Sequence, residues 1–134
     1  IKNYYEKPVV VIAVDNSQSI PLVTDSTVLN NTIQQITGLN TTLNNNDYEV
    51  AIHTLDENKD IPSLDALKFS STNTNLSNFL NNIAVTYENK NLAGVVLLSD
   101  GIYNQGISPE YAAYNMPVYT IGIGDTLPQN EINL

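Results

Sequence analysis

The segment Pro8-Val9-Val10-Val11-Ile12-Ala13-Val14 is an aliphatic, mostly β-branched run that stops at a carboxylate, Asp15. It does not alternate between apolar and polar, so it reads as a strand buried on both faces, as strands of parallel sheets are. What leaves it is equally distinctive: Asp15-Asn16-Ser17-Gln18-Ser19 brings one carboxylate and two hydroxyls to the end of that strand.

The rest of the chain supplies partners for such a strand. From Asp25 to about Leu43, Val28, Leu29, Ile33, Ile36, Leu39 and Leu43 recur at mostly three- and four-residue spacings, the stripe of an amphipathic helix. Asp25 or Ser26 is available as its cap, and the cluster Asn44-Asn45-Asn46-Asp47 ends it. Tyr48 to Leu55 alternates and reads as a second strand, and Leu64 to Phe69 as a weaker strand at a sheet edge. Leu76 to Tyr87 repeats the helical spacing, with Thr74 or Asn75 as cap. Leu92 to Leu98 is another wholly apolar strand, Pro109 to Tyr114 a short helix capped by Ser108, and Pro117 to Ile123 the last strand. The order β-α-β-β-α-β-α-β predicts an α/β fold. Its Rossmann-like, mainly parallel central sheet would carry helices on both faces.

The 134 residues suit one domain, 1–134 with a core of about 8–125, long enough to bury about two-thirds of its unfolded surface. Five Lys and Arg against 14 Asp and Glu leave a net charge of −9. That balance argues against nucleic acid, whose phosphates need a basic footprint, and against attachment to anionic lipid. No stretch approaches the roughly 18 apolar residues of a membrane span. Without cysteine there are no disulfides, thiolate metal sites or thiol chemistry. The many asparagines read as compositional bias and solvated loops, and their lack of a fixed period gives little support to a repeat or glycosylated tract. The chain starts at Ile1 with no Met and no signal-like segment, so the expectation is a module of a longer protein.

Ligands of open α/β sheets bind outside the carboxyl ends of the strands, where strand order reverses. Two apolar strands end in an aspartate there, at Asp15 and at Ser99-Asp100-Gly101. If the two strands are neighbours, the carboxylates face one another and need a cation between them, or a shared proton. Hydroxyls shuttle protons poorly but are good neutral oxygen ligands, so Asp15, Ser17, Ser19 and Asp100 suit a hard divalent cation: Mg²⁺, Mn²⁺ or Ca²⁺. Zinc has no suitable donors, since the one histidine, His53, lies within an alternating strand and reads as structural. Ser70-Ser71-Thr72-Asn73-Thr74, just before a helix, offers a third hydroxyl on the same rim.

Asp15-Asn16-Ser17-Gln18-Ser19 resembles the DxSxS motif of von Willebrand factor A (vWA, integrin I-like) domains. The Thr72 segment resembles that family's second site loop, and Leu97-Leu98-Ser99-Asp100-Gly101 its third. The resemblance spans nearly the whole chain and implies a shortened vWA fold with a metal-ion-dependent adhesion site. It implies Ser17, Ser19 and Thr72 as direct ligands, Asp15 and Asp100 as ligands directly or through water, and one open position for a carboxylate of a partner protein. Mg²⁺ would be the resident ion, with Mn²⁺ or Ca²⁺ as substitutes.

The chain departs from that pattern at several points. Gln18 stands where the family often has Gly, and Ile20 where Met is frequent. The second loop lacks glycines, so Thr72 and Thr74 compete for one ligand role, Thr74 being well placed as a helix cap. Asn16, Gln18, Tyr103 and Asn104 are candidate contacts on the ligand rim, whereas Tyr111, Tyr114 and Tyr119 read as packing residues. The resemblance is closest to bacterial modules set in larger, often membrane-anchored, proteins of the cell envelope. The expected function is therefore metal-dependent protein binding rather than catalysis.

Two alternatives stay open. A metal-assisted phosphatase or hydrolase could use Asp15 as nucleophile or base, but Ser17 occupies the place of a second acid. No Lys or Arg lies near the predicted rim to meet a phosphoryl group either. A serine hydrolase lacks a general base beside Ser17 or Ser19. The other alternative is a structural vWA-like scaffold with a vestigial site.

Overall fold

The computed structural model describes residues 7–55, 67–72, 76–99 and 117–123. In chain order the elements are β1 (Val9–Val14), α1 (Ile20–Val23), α2 (Ser26–Asn45), β2 (Glu49–Thr54), α3 (Leu76–Thr86), β3 (Leu92–Ser99) and β4 (Val118–Gly122). The four strands form one sheet in the order β2-β1-β3-β4, and all three pairings are parallel. This is the expected α/β fold, a small Rossmann-like sheet flanked by helices.

The lack of alternation in β1 has a direct cause. Val9, Val11 and Ala13 point into one core, with Val95, Leu97 and the α3 residues Leu76, Phe79, Leu80 and Ile83. Val10, Ile12 and Val14 point into the other, with Val96, Leu98, Ile52 and the α2 residues Ile36 and Leu43. Successive strand side chains face opposite ways, so a helix on each face buries every residue of the strand. Each large aliphatic side chain so buried contributes about 1.5–3 kcal/mol.

Helix α2 begins where Asp25 accepts a 2.7 Å hydrogen bond from the Thr27 N–H, the capping expected of that residue. It ends where the Asn46 N–H donates to the carbonyls of Thr42 and Leu43. Asp47 then takes a left-handed φ of 66° and Tyr48 donates back to the Leu43 carbonyl at 3.0 Å, closing the turn.

Three features differ from the sequence reading. Strand β2 does not alternate in burial, because Ala51 through Thr54 are all buried. His53 lies on the α3 side, where its Nε2 is 2.7 Å from the Tyr87 hydroxyl and the two rings meet edge to face. That hydrogen bond lets a polar residue occupy a covered face. Within the expected edge strand 64–69, residues 67–69 are irregular, and 64–66 lie outside the described residues. The backbone of 67–71 turns instead toward the loop after β1, as set out below. Finally, α1 is a four-residue helix with Pro21 in its first turn, where proline's missing N–H costs nothing. The expected helix at 109–114 lies outside the described residues.

Candidate functional site

β1 and β3 are adjacent in the sheet though far apart in the chain, and β2 and β4 lie outside them on opposite sides. Strand order therefore reverses between β1 and β3, which makes their carboxyl ends the place where such a sheet forms a crevice. The adjacency on which the reading of the two aspartates depended is thus present. The ladder runs one residue beyond the strand: the Asp15 N–H donates to the Leu98 carbonyl at 2.8 Å. Asp100 follows Ser99, the last residue of β3, and lies outside the described residues, as do Thr74, Tyr103 and Asn104.

Beyond Asp15 the chain folds on itself. The Ser17 N–H donates to Asp15 Oδ1 at 3.1 Å, an Asx-type turn that swings Ser17 back toward the carboxylate. Ser17 Oγ and Ser19 Oγ then lie 3.4 Å apart. Asp15 and Ser17 are buried and Ser19 is exposed, so the group opens to solvent on one side. Ser19 is the N-cap residue of α1, yet its side chain makes no capping hydrogen bond. The first turn is closed by main-chain carbonyls instead: Ile20 N–H donates to Ser17, and Leu22 and Val23 N–H to Ser19. Helix capping therefore does not account for the Ser19 hydroxyl.

The second segment is joined to the first by backbone. Ser17 and Ser71 form an isolated parallel bridge. In it the Gln18 N–H donates to the Ser71 carbonyl at 2.9 Å, and the Ser71 N–H to the Asn16 carbonyl at 3.1 Å. Ser71 is buried, and Thr72, the next residue, is exposed beside the loop carrying Ser17 and Ser19. The structure thus brings Asp15, Ser17 and Ser19 together and sets the Thr72 segment against them.

Asn16 is not a rim residue. It is only 2% exposed. Its Nδ2 donates to the Lys68 carbonyl at 2.8 Å, and its Oδ1 accepts from the Leu55 N–H at 2.9 Å. An amide, with one donor and one acceptor end, can join a carbonyl and an N–H that an acceptor-only carboxylate could not serve together. Asn16 therefore staples the exit of β1 to the end of β2 and to the 67–72 segment, and it is unavailable to a ligand. Gln18 does stand on the rim, exposed, with Nε2 3.3 Å from the Ser70 carbonyl.

Sequence reasoning missed the roles of Asn16 and Ser71. Their partners lie up to 55 residues away, since the Ser71 N–H meets the Asn16 carbonyl, and nothing local to either residue marks them. Among the described residues no three His, Cys, Asp or Glu side chains gather as a metal cluster. Comparison of the chain with protein-family models, curated proteins and solved structures finds no match.

Proposed function

We propose that the chain is a divalent-metal-dependent protein-binding module of the vWA type, in which a cation at the β1–β3 crevice accepts a carboxylate from a partner protein. The observation that carries this reading is the convergence of Asp15, Ser17 and Ser19, with the Ser71 bridge setting Thr72 beside them. The donors are all oxygen and mostly neutral, which fits Mg²⁺, an ion that retains several waters and exchanges one readily for an anionic oxygen. Neutral hydroxyls leave the ion a residual positive charge, and that charge is what an incoming Asp or Glu would meet. Asp15, Ser17, Ser19 and Thr72 are the proposed holders, with Asp100 completing the set, and Mn²⁺ or Ca²⁺ as substitute ions. The family resemblance also suggests a parent protein anchored at a bacterial cell envelope. No helix among the described residues is long and apolar enough to cross a membrane.

Thermal unfolding with and without metal tests the reading. A cation that binds only the native state adds about 2.7 kcal/mol when present at about 100 times its Kd. Millimolar Mg²⁺ or Mn²⁺ is expected to raise Tm, EDTA to reverse the rise, and Asp15→Asn or the double variant Ser17→Ala/Ser19→Ala to abolish it. An unchanged Tm for the unaltered protein would refute the reading.

A further inference from the structure

Pro21, Leu22 and Val23 are three consecutive exposed residues in α1, with Leu22 83% and Val23 70% exposed. Exposed apolar residues scattered singly need no explanation, but a contiguous run beside a candidate site does. The run is fixed to that site: the N–H groups of Leu22 and Val23 both donate to the Ser19 carbonyl, at 3.0 and 3.2 Å. Leu22 and Val23 thus belong to the same turn of helix as Ser19, whose exposed side chain lies in the Asp15–Ser19 group.

We infer that this ridge is the second half of the partner-binding surface. Its occupant is a protein segment carrying one acidic residue with a large apolar residue two positions away, in an otherwise neutral or basic context. This rests on the metal-dependent reading above. The spacing follows from geometry. An extended segment advances about 3.3 Å per residue, and side chains two apart share a face. A carboxylate held at the Ser19 end of the ridge would leave the side chain two residues on, about 6.6 Å along the segment, to meet Leu22 and Val23. The context follows from charge. Between Ser17 and Asn46 the chain carries a single charged side chain, Asp25, so the ridge offers apolar contact and no basic group. The chain as a whole carries −9, which repels an acidic partner except where a cation supplies local positive charge. The same charge opposes a second copy of the chain and an anionic lipid surface as occupants.

The test is selection of a phage-displayed library of random linear peptides on the folded chain in millimolar Mg²⁺, with elution by EDTA. The expected result is enrichment of peptides with Asp or Glu and, two residues away, Leu, Ile, Met or Phe. Synthetic copies of these should bind Leu22→Ser/Val23→Ser about tenfold or more weakly, with the Mg²⁺-induced Tm rise unchanged. Both positions are exposed, so the variant is expected to fold normally. Several results would overturn the inference while leaving the metal-dependent reading intact. These are eluted peptides with an acid but no apolar partner, no loss of binding in the variant, no peptide recovered despite the Tm rise, Mg²⁺-dependent dimers in sedimentation, or flotation with phosphatidylserine vesicles. An absent Tm rise in the unaltered protein would remove both.

Discussion

Replacing Asn16 by alanine tests the construction of the site without requiring any ligand. The substitution removes the acceptor for the Leu55 N–H and the donor to the Lys68 carbonyl. Leu55 is half-buried at the end of β2, so an N–H left unmet there costs about 1–3 kcal/mol. Lys68 is exposed and its carbonyl can rehydrate, leaving only the net worth of one hydrogen bond, about 0.5–1.5 kcal/mol. The sum is about 1.5–4.5 kcal/mol, a large part of the stability of a domain this size. Tm should fall by roughly 10 °C. Asn16→Asp keeps an acceptor for Leu55 but turns a carboxylate oxygen toward the Lys68 carbonyl and adds a second buried charge beside Asp15. It should cost at least as much as alanine. Urea unfolding followed by circular dichroism measures the loss. Native-state hydrogen exchange locates it, with the amides of Gln18 and Ser71 exchanging faster once the staple is gone. An Asn16→Ala protein within about 0.5 kcal/mol of the parent would refute the assignment of Asn16 as a staple.

Three further outcomes are expected. Gly38 lies within α2 on its exposed side, and a Cβ there would meet nothing within 4 Å, so Gly38→Ala should stabilise by about 0.8–1 kcal/mol in urea unfolding. Tyr87→Phe removes the 2.7 Å hydrogen bond to His53 and keeps the ring, so it should cost about 1 kcal/mol in the same assay. Asp47 holds a φ of 66°, so Asp47→Val should lose about 1–2 kcal/mol while Asp47→Gly stays within about 0.5 kcal/mol of the parent, both read from Tm.

Sequence and structure agree best where periodicity is long and one-sided. The stripe from Leu29 to Leu43 and the uninterrupted run of β1 each carry their burial on their face, and both appear at the expected places. Agreement fails where burial is decided by a distant element. β2 looked half-exposed because polar Glu49 and His53 share a face, but α3 packs against Ala51 and Tyr87 against His53 on that side. The 67–69 segment has strand-like residues, yet its backbone is taken by Asn16 and by the loop after β1 rather than by a sheet edge. α1 is too short to display a period, and its exposed Leu22 and Val23 run against the usual sorting of apolar residues. Within the site, the local part from Asp15 to Ser19 was legible because five consecutive residues carry it. The bridge to Ser71 was not, since it depends on how two segments 54 residues apart meet.

A strand that is aliphatic on both faces contains little information about its own alignment, since sliding it by one residue would exchange valines for valines. In β1 that information sits at the two ends. A slip in one direction would carry Asp15 into the place of Val14, which is wholly buried between Thr54 and Leu98 in the apolar core, where a carboxylate would be fully desolvated. A slip in the other would put Pro8 in the place of Val9, whose N–H donates to the Asn91 carbonyl at 2.8 Å, a bond proline cannot make. Pro8 and Asp15 thus act as stops on a sliding rail. Asp15 thereby helps to specify which fold the chain reaches whether or not a cation binds, so the residue at the centre of the proposed site would be retained by selection for folding alone.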